Sequence, residues 1–242
     1  MICIVPARAG SSLKDKNLRR FGEDSRPLLA RALEKCISVF GKNRVIALVD
    51  SARLAECAQS AGAFAVLDEA VPAHEDVSAR LWRLAAADFM RIHAGTQIAL
   101  VQCTSPHTSE ETLERFAALA PKLGADDVAI SAVRVRDKAT AFFTGAVPAA
   151  AAEDAAEPQQ PTTPRPELPP PARALFADAP PSAPRQTLPQ LWRFTGAVTL
   201  FLAARLSPNA SLFHGAKIRL VETPIAEALD IDREEDFTAK EI

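Results

Sequence analysis

The sequence predicts an α/β fold of three layers, with a mostly parallel central sheet between two layers of helices. Three observations predict it. Short, continuous apolar runs recur along the first 133 residues, as strands buried on both faces require. Segments with helical spacing separate these runs. Polar loops follow the runs, at the strand ends where such sheets hold their ligands.

Each element follows in order. Ile2–Val5 is a buried first strand, and a polar loop runs from Pro6 to about Asn17. Pro27 suits a helix start, and Leu28–Phe40 has helical spacing. Arg44–Val49 is the second strand and Leu54–Ala61 the second helix, ended by Gly62. Phe64–Leu67 is the third strand. Ser78–His93 is a helix with apolar Leu81, Leu84, Ala85 and Phe89. Gln97–Gln102 is the fourth strand. Thr108-Ser-Glu-Glu111 resembles a capping box that opens a helix to Leu123. Asp127–Val133 is the fifth strand.

The composition then changes. Eleven of the 19 prolines lie between Pro148 and Pro184, among many alanines and few large apolar residues. Such a stretch buries too little surface to order itself, so 148–184 is expected to be a flexible or partly extended insertion. Regular structure resumes near Trp192, with strands at Gly196–Leu202 and Ile218–Glu222 and a terminal helix over Glu234–Ile242. With 48% hydrophobic and 24% charged residues, the 242-residue chain supplies the core of a single domain over 1–242.

Charge and cysteine usage exclude several classes of function. A formal net charge of -2 offers no global basic field for nucleic acid or an acidic membrane surface. No apolar run reaches about 18 residues, so no membrane-spanning helix is expected. The start lacks the pattern of a signal peptide. Cys3, Cys36, Cys57 and Cys103 are widely spaced and form no C-x-x-C pair. Cys3, Cys36 and Cys57 sit in apolar surroundings and read as small core residues, and the usage fits a reducing cytoplasm better than disulfides or a zinc site.

Four segments could carry chemistry. The loop Pro6-Ala-Arg-Ala-Gly-Ser-Ser-Leu-Lys-Asp-Lys-Asn17 follows a strand and holds Arg8, Lys14 and Lys16. Gly10 permits close backbone approach, and successive N–H groups can cradle a polyphosphate. A solvated basic loop fits the same residues equally well. In Asp230-Ile-Asp232, two carboxylates at i and i+2 of an extended segment point the same way and can hold a hard cation. An acidic helix start is the plainer reading of that pair. Gln102-Cys-Thr-Ser-Pro106 ends the fourth strand, as a ligand contact or as a turn before a capped helix. Arg185 and Arg193 either clamp a carboxylate or phosphate or lie on the surface. The four histidines form no constellation, and His107 in its polar loop reads as solvated.

Taken in order, these segments resemble the acylneuraminate cytidylyltransferase family, a relative of the 3-deoxy-manno-octulosonate cytidylyltransferases. The resemblance is carried by Ala7-Arg8-Ala-Gly-Ser11 with Lys16-Asn17, by Gln102-Cys103-Thr104-Ser105-Pro106, by Arg185-Gln186-Thr-Leu188-Pro189 through Arg193 to Thr195-Gly196-Ala197, and by Asp230-Ile231-Asp232 with Asp236. It implies a Rossmann-like nucleotidyltransferase fold and transfer of CMP from CTP to the anomeric hydroxyl of an acidic, sialic-acid-like sugar. It implies Ala7, Arg8, Gly10, Ser11, Lys16 and Asn17 around the nucleotide, with Arg8 and Lys16 neutralising phosphate charge in catalysis. Gln102, Thr104, Ser105, Arg185 and Arg193 would meet the sugar acid. Asp230 and Asp232 would hold Mg²⁺ or Mn²⁺. A homodimer is implied, with 148–184 in the region of the dimer arm. The chain departs from the family at Ser12, Cys103, Thr195 and Thr199, where the family has lysine, proline, asparagine and an aromatic residue, and its first loop is one residue shorter. Lys138 is the nearest candidate for a further sugar-binding lysine. A sugar nucleotidyltransferase of different specificity and a catalytically weakened nucleotide-binding homologue share these features.

Overall fold

The computed structural model describes residues 1–10, 13–69, 75–86, 92–135, 143–144, 173–174, 190–208 and 210–238. In chain order the strands and α-helices are β1 (Ile2–Ala7), β2 (Arg20–Phe21), β3 (Asp24–Pro27), α1 (Leu28–Phe40), β4 (Val45–Val49), α2 (Ala52–Ser60), β5 (Phe64–Leu67), α3 (Val77–Ala86), β6 (Gln97–Val101), α4 (Glu110–Leu119), β7 (Asp127–Arg134), β8 (Phe143–Thr144), β9 (Arg173–Ala174), β10 (Trp192–Leu202) and β11 (Lys217–Glu222). The sequence predicts one domain over 1–242; two compact units are found, Met1–Val133 with Arg193–Ile242, and Arg134–Trp192. The boundary falls where the alternation of strand and helix stops. In the second unit β8 and β9 pair antiparallel, and the Arg134 guanidinium lies over the Trp192 ring. The greater part of the 148–184 insertion and Lys138 lie outside the described residues.

The central sheet has seven strands in the order β11-β7-β10-β6-β1-β4-β5. β1 runs parallel to β4 and β6, β4 to β5, and β11 to β7, while β10 runs antiparallel to β6. Alternation along β1 sends Cys3, Val5 and Ala7 to one face and Ile4 to the other. The first face is covered by Leu29, Leu33, Cys36 and Phe40 of α1, Leu54 and Ala58 of α2, and Leu113 and Phe116 of α4. The second is covered by Leu81 and Leu84 of α3, together with Leu212. The expected three layers are therefore present. All four cysteines are free thiols, with Cys3, Cys36 and Cys103 buried.

Local chemistry sets the boundaries. Ser51 caps α2 by accepting from the Leu54 N–H, and Ser109 caps α4 by accepting from the Thr112 N–H. The capping box was expected one residue earlier; Ser109 rather than Thr108 takes the cap. Asp76 accepts from the N–H groups of Ser78 and Ala79 at the start of α3. The terminal helix is a short 3₁₀ turn over Glu234–Thr238, and residues 239–242 lie outside the described part. The β2–β3 hairpin, turning at Gly22 with φ of 62°, has no apolar alternation to announce it.

The strand order reverses between β1 and β6. From β1 the chain moves out to β4 and β5; from β6 it moves out to β7 on the other side. The loops leaving these two neighbouring strands diverge, and a crevice opens beyond their carboxyl ends.

Candidate functional site

A cleft of about 560 Å³ lies at that crevice. Its floor is the end of β1 and β6, with Pro6, Ala7, Arg8, Leu100 and Gln102. One wall carries Lys16, Asn17, Asp230 and Asp232, and another carries Glu75 to Ser78 and Arg80 at the start of α3. Gly196 and Thr199 of β10 and the paired rings of Phe194 and Phe213, 5.8 Å apart and edge to face, also line it, with Cys103 and Thr104.

The loop after β1 is held from several sides. Asp50, at the end of β4, accepts from the Ala9 N–H at 2.8 Å and lies 3.9 Å from Arg8 Nε. Arg8 also donates to the Glu75 carbonyl at 3.1 Å. Gly10 bridges to Lys14 across the loop, and Asp15 turns the chain in the left-handed region at φ 55°. Lys14 is exposed. Asn17 is buried and donates to the Arg8 carbonyl at 2.9 Å. The Cys103 thiol donates to Asn17 Oδ1 at 3.3 Å, tying this loop to the one after β6. Burial pushes the Cys103 thiol up to about 12. Ser11 lies outside the described residues.

Lys16 is buried, and its ammonium donates to the Ile231 carbonyl at 3.0 Å and to Asp232 Oδ1 at 2.9 Å. Ile231 is itself fully buried, packed with Phe21 and Leu28, and its N–H donates to the Thr104 carbonyl at 2.8 Å. The alternation expected of Asp230-Ile-Asp232 is thus observed: the isoleucine anchors the segment, and both carboxylates face the cleft. Loss of bulk water raises the Asp230 carboxyl above the usual range, although its side chain reaches solvent. A hydrogen bond from Thr104 acts against that, and the nearby charge of Asp232 adds to it. Asp236 accepts from the N–H groups of Asp232 and Arg233, which holds its own carboxyl low and fixes the turn. Among the described residues, no group of three or more His, Cys, Asp or Glu stands together as a metal cluster.

The structure thus brings Ala7, Arg8, Lys16, Asn17, Gln102, Thr104, Asp230 and Asp232 to one cleft. Three expected contacts lie elsewhere. Ser105 is buried, and faces a small cavity behind the loop instead of the cleft, because the turn after Thr104 points it inward. Arg193 is exposed and is not among the cleft-lining residues; the neighbouring Phe194 takes that place on β10. Gly10 lies outside the cleft lining, in the arm that pairs with Lys14. Arg185 lies outside the described residues. Thr195, where the resembled family has asparagine, turns inward, with Oγ1 2.7 Å from Ser131 Oγ. The wall at the start of α3 is a part of the site that the motifs missed. Its signal was Asp76-x-Ser78, a helix-start pattern. There Asp68 joins Arg80 Nε at 2.9 Å and Arg83 NH2 at 2.7 Å, and Arg80 donates to the Val49 carbonyl.

A family model described as cytidylyltransferase matches residues 2–167. That span includes the loops after β1 and β6 and stops short of Phe194 and Asp230. Among solved structures, CMP:2-keto-3-deoxy-manno-octonic acid synthetase complexed with CTP superposes with a TM-score of 0.62 at 17% identity, over 96% of this chain and 92% of that one. A 4-diphosphocytidyl-2C-methyl-D-erythritol synthase superposes with a TM-score of 0.60 at 14% identity, over 97% and 94%. The synthase of that name from Anaerococcus prevotii DSM 20548 gives 0.58 at 12% identity, over 98% and 93%. At these identities the likeness is one of fold. No curated protein matches the sequence.

Proposed function

The chain belongs to the cytidylyltransferase family, and from that premise we propose that it transfers CMP from CTP to the anomeric hydroxyl of an acidic, sialic-acid-like sugar, with release of pyrophosphate. The observation that carries the reading is the convergence of Arg8, Lys16, Gln102, Asp230 and Asp232 on one cleft beyond β1 and β6. The hydroxyl oxygen attacks the α-phosphorus and gives up its proton to solvent, and pyrophosphate leaves with the electrons of the broken bond between the α-phosphorus and the bridging oxygen. Such a reaction needs alignment and charge neutralisation more than covalent help from the protein.

In this reading the backbone of Ala7 and Arg8 lies along the phosphates and the Arg8 side chain neutralises their charge. Gln102 and Thr104 face the acceptor. Lys16 acts on the same charge from the wall, while fixing Asp232. The donor set suits Mg²⁺ or Mn²⁺: two hard carboxylates share the wall, and Asp230 is raised by lost solvation and by Asp232, a cost that a cation relieves. Bound there, the ion would neutralise phosphate oxygens and sharpen the attacking hydroxyl. Among the described residues no histidine lines the cleft, and this chemistry asks for no general-base histidine.

The test is pyrophosphate release from CTP with a panel of N-acetylneuraminate, 3-deoxy-manno-octulosonate and neutral or phosphorylated sugars, with Mg²⁺, with Mn²⁺ and with chelator. Release with an acidic 2-keto sugar, abolished by chelator, is expected. Release only with a sugar phosphate would overturn the acceptor assignment. Unchanged turnover in Asp232→Ala would overturn the metal assignment. The proposal also includes a cytoplasmic homodimer; light scattering that returns a monomer mass counts against that part. Among the described residues, no helix is long and apolar enough to cross a membrane.

A further inference from the structure

Directly behind the cleft lies a second, much smaller cavity of about 10 Å³, lined by Lys35, Ser105, Pro106, Thr108 and Gln102 among others. Gln102 lines both spaces, so its segment forms the partition between them. From Ser105 onward the partition is lightly built. Its main-chain ties are Gln102 N–H to the Ala197 carbonyl at 2.9 Å and Ile231 N–H to the Thr104 carbonyl at 2.8 Å, then Ser105 N–H to the Gln102 carbonyl at 3.4 Å and Thr108 N–H to the Ser105 carbonyl at 3.2 Å. The last two are at the long end for such bonds.

Lys35, on the inner side of α1, reaches across to this partition. Its ammonium donates to the Pro106 carbonyl at 2.9 Å and to the Thr108 carbonyl at 2.8 Å. Hydrogen bonds from a charged donor are roughly twice as strong as neutral ones. Polar atoms without partners surround the same point. Among the described residues, Ser105 Oγ, Thr108 Oγ1 and Glu227 Oε2 are buried and lack a hydrogen-bond partner. Ser105 and Thr108 line the small cavity, and Glu227 is close enough for its charge to act on Lys35. Burial lowers the Lys35 ammonium from its ordinary value, and Arg31 lowers it further, against Glu227 and Glu110. A cavity of this size is about one water in volume. A lysine half-buried beside it, with two carbonyls of one turn as acceptors, has a positional task that a solvated lysine lacks.

We propose that Lys35 is a positioning residue for acceptor binding, clamping the Gln102–Thr108 turn through the Pro106 and Thr108 carbonyls so that Gln102 and Thr104 face the cleft, with one water in the small cavity bridging Ser105 and Thr108. The clamp itself is independent of the acceptor; its consequence for catalysis rests on the function proposed above. Lys35 makes no contact with the cleft and touches no reacting atom. It acts on the acceptor side, since Arg8 and Ala9 are held from outside the turn, by Asp50 and by the Glu75 carbonyl.

Two measurements on the full chain test this. Hydrogen exchange on the protein without nucleotide reads the clamp. Lys35→Met, which keeps the aliphatic stem and removes the donors, is expected to speed exchange of the Ser105 and Thr108 amides at least about tenfold, with β1 and β4 amides unchanged. Exchange at those two amides within about twofold of wild type, or a rise spread evenly over the sheet, overturns the proposal. If Lys35→Met does not accumulate folded, Lys35→Gln carries the test. Its shorter amide is expected to give an intermediate rise confined to the turn, and wild-type exchange there overturns the clamp. Steady-state kinetics with 3-deoxy-manno-octulosonate then reads the consequence. Lys35→Met is expected to raise KM for that acid about tenfold while leaving the Kd for CTP, titrated alone, unchanged. Equal losses for both substrates overturn the positioning role. Absence of turnover in the wild type counts against the acceptor assignment and leaves the exchange result to decide the clamp.

Discussion

The Lys16 ammonium sits 2.9 Å from Asp232 Oδ1 and 3.0 Å from the Ile231 carbonyl, so a lysine of the first loop is fastened to a carboxylate 216 residues later. Lys16 is buried, while the Asp232 side chain is 63% exposed. The pair therefore joins a fixed cation to an anion that faces the cleft. This arrangement couples the nucleotide loop to the proposed metal wall.

Lys16→Met removes both contacts at once. It is expected to reduce pyrophosphate release at least about tenfold and to lower the unfolding free energy by about 1–3 kcal/mol, since the buried Ile231 carbonyl loses its donor. Urea unfolding and the pyrophosphate assay check the two effects. Asp232→Ala leaves that carbonyl bonded, and water can replace the carboxylate from the exposed side of the pair, so it is expected to lose activity with a smaller change in stability. Equal destabilisation by both variants would contradict the coupling.

Asp68 gives the protein an acid-sensitive joint. Burial alone would push its carboxyl up, but hydrogen bonds from Arg83 and Arg80 outweigh burial and hold it below the usual range. Burial also lowers Arg80, yet an arginine remains charged throughout the working range. With the folded value below an unfolded value of about 3.9, the contribution is complete above about pH 4 and is lost as pH falls through the folded value. Asp68→Asn is expected to cost about 3–5 kcal/mol near neutral pH, because Arg80 is left buried without its counter-charge. The same variant is expected to flatten the fall in stability below about pH 4, as urea unfolding at a series of pH values will read.

Gly196, on the cleft wall, has φ of 77° with no atom within 4 Å of an added Cβ. Gly196→Ala therefore meets backbone strain and no clash. It is expected to cost about 1–2 kcal/mol in thermal or urea unfolding. A variant as stable as wild type would mean that β10 relaxes at this residue.

Cys103 lines the cleft yet is buried and hydrogen-bonded, and burial pushes its thiol up to about 12. With so little thiolate, alkylation by iodoacetamide at pH 8 is expected to be on the order of a thousandfold slower than in urea. Peptide mass mapping of native and unfolded protein reads this directly. Rapid native labelling would show that the contact between Cys103 and Asn17 opens.

By itself the sequence determined the layers and the order of the elements. Apolar runs and helical spacing are local patterns, and Leu28–Phe40 and Phe64–Leu67 follow from them with their observed bounds. The i, i+2 rule likewise made the facing of Asp230 and Asp232 legible beside buried Ile231. The tertiary structure alone decided the partners. It set β10 antiparallel between β6 and β7, turned Ser105 away from the cleft, left Arg193 exposed, and seated Lys16 on Asp232. It also brought the start of α3 to the site, through Asp68 and Arg80. The reason is physical: the period of a strand or helix is written within a few residues, whereas hydrogen bonds and ion pairs form between groups that only chain packing brings within about 3 Å.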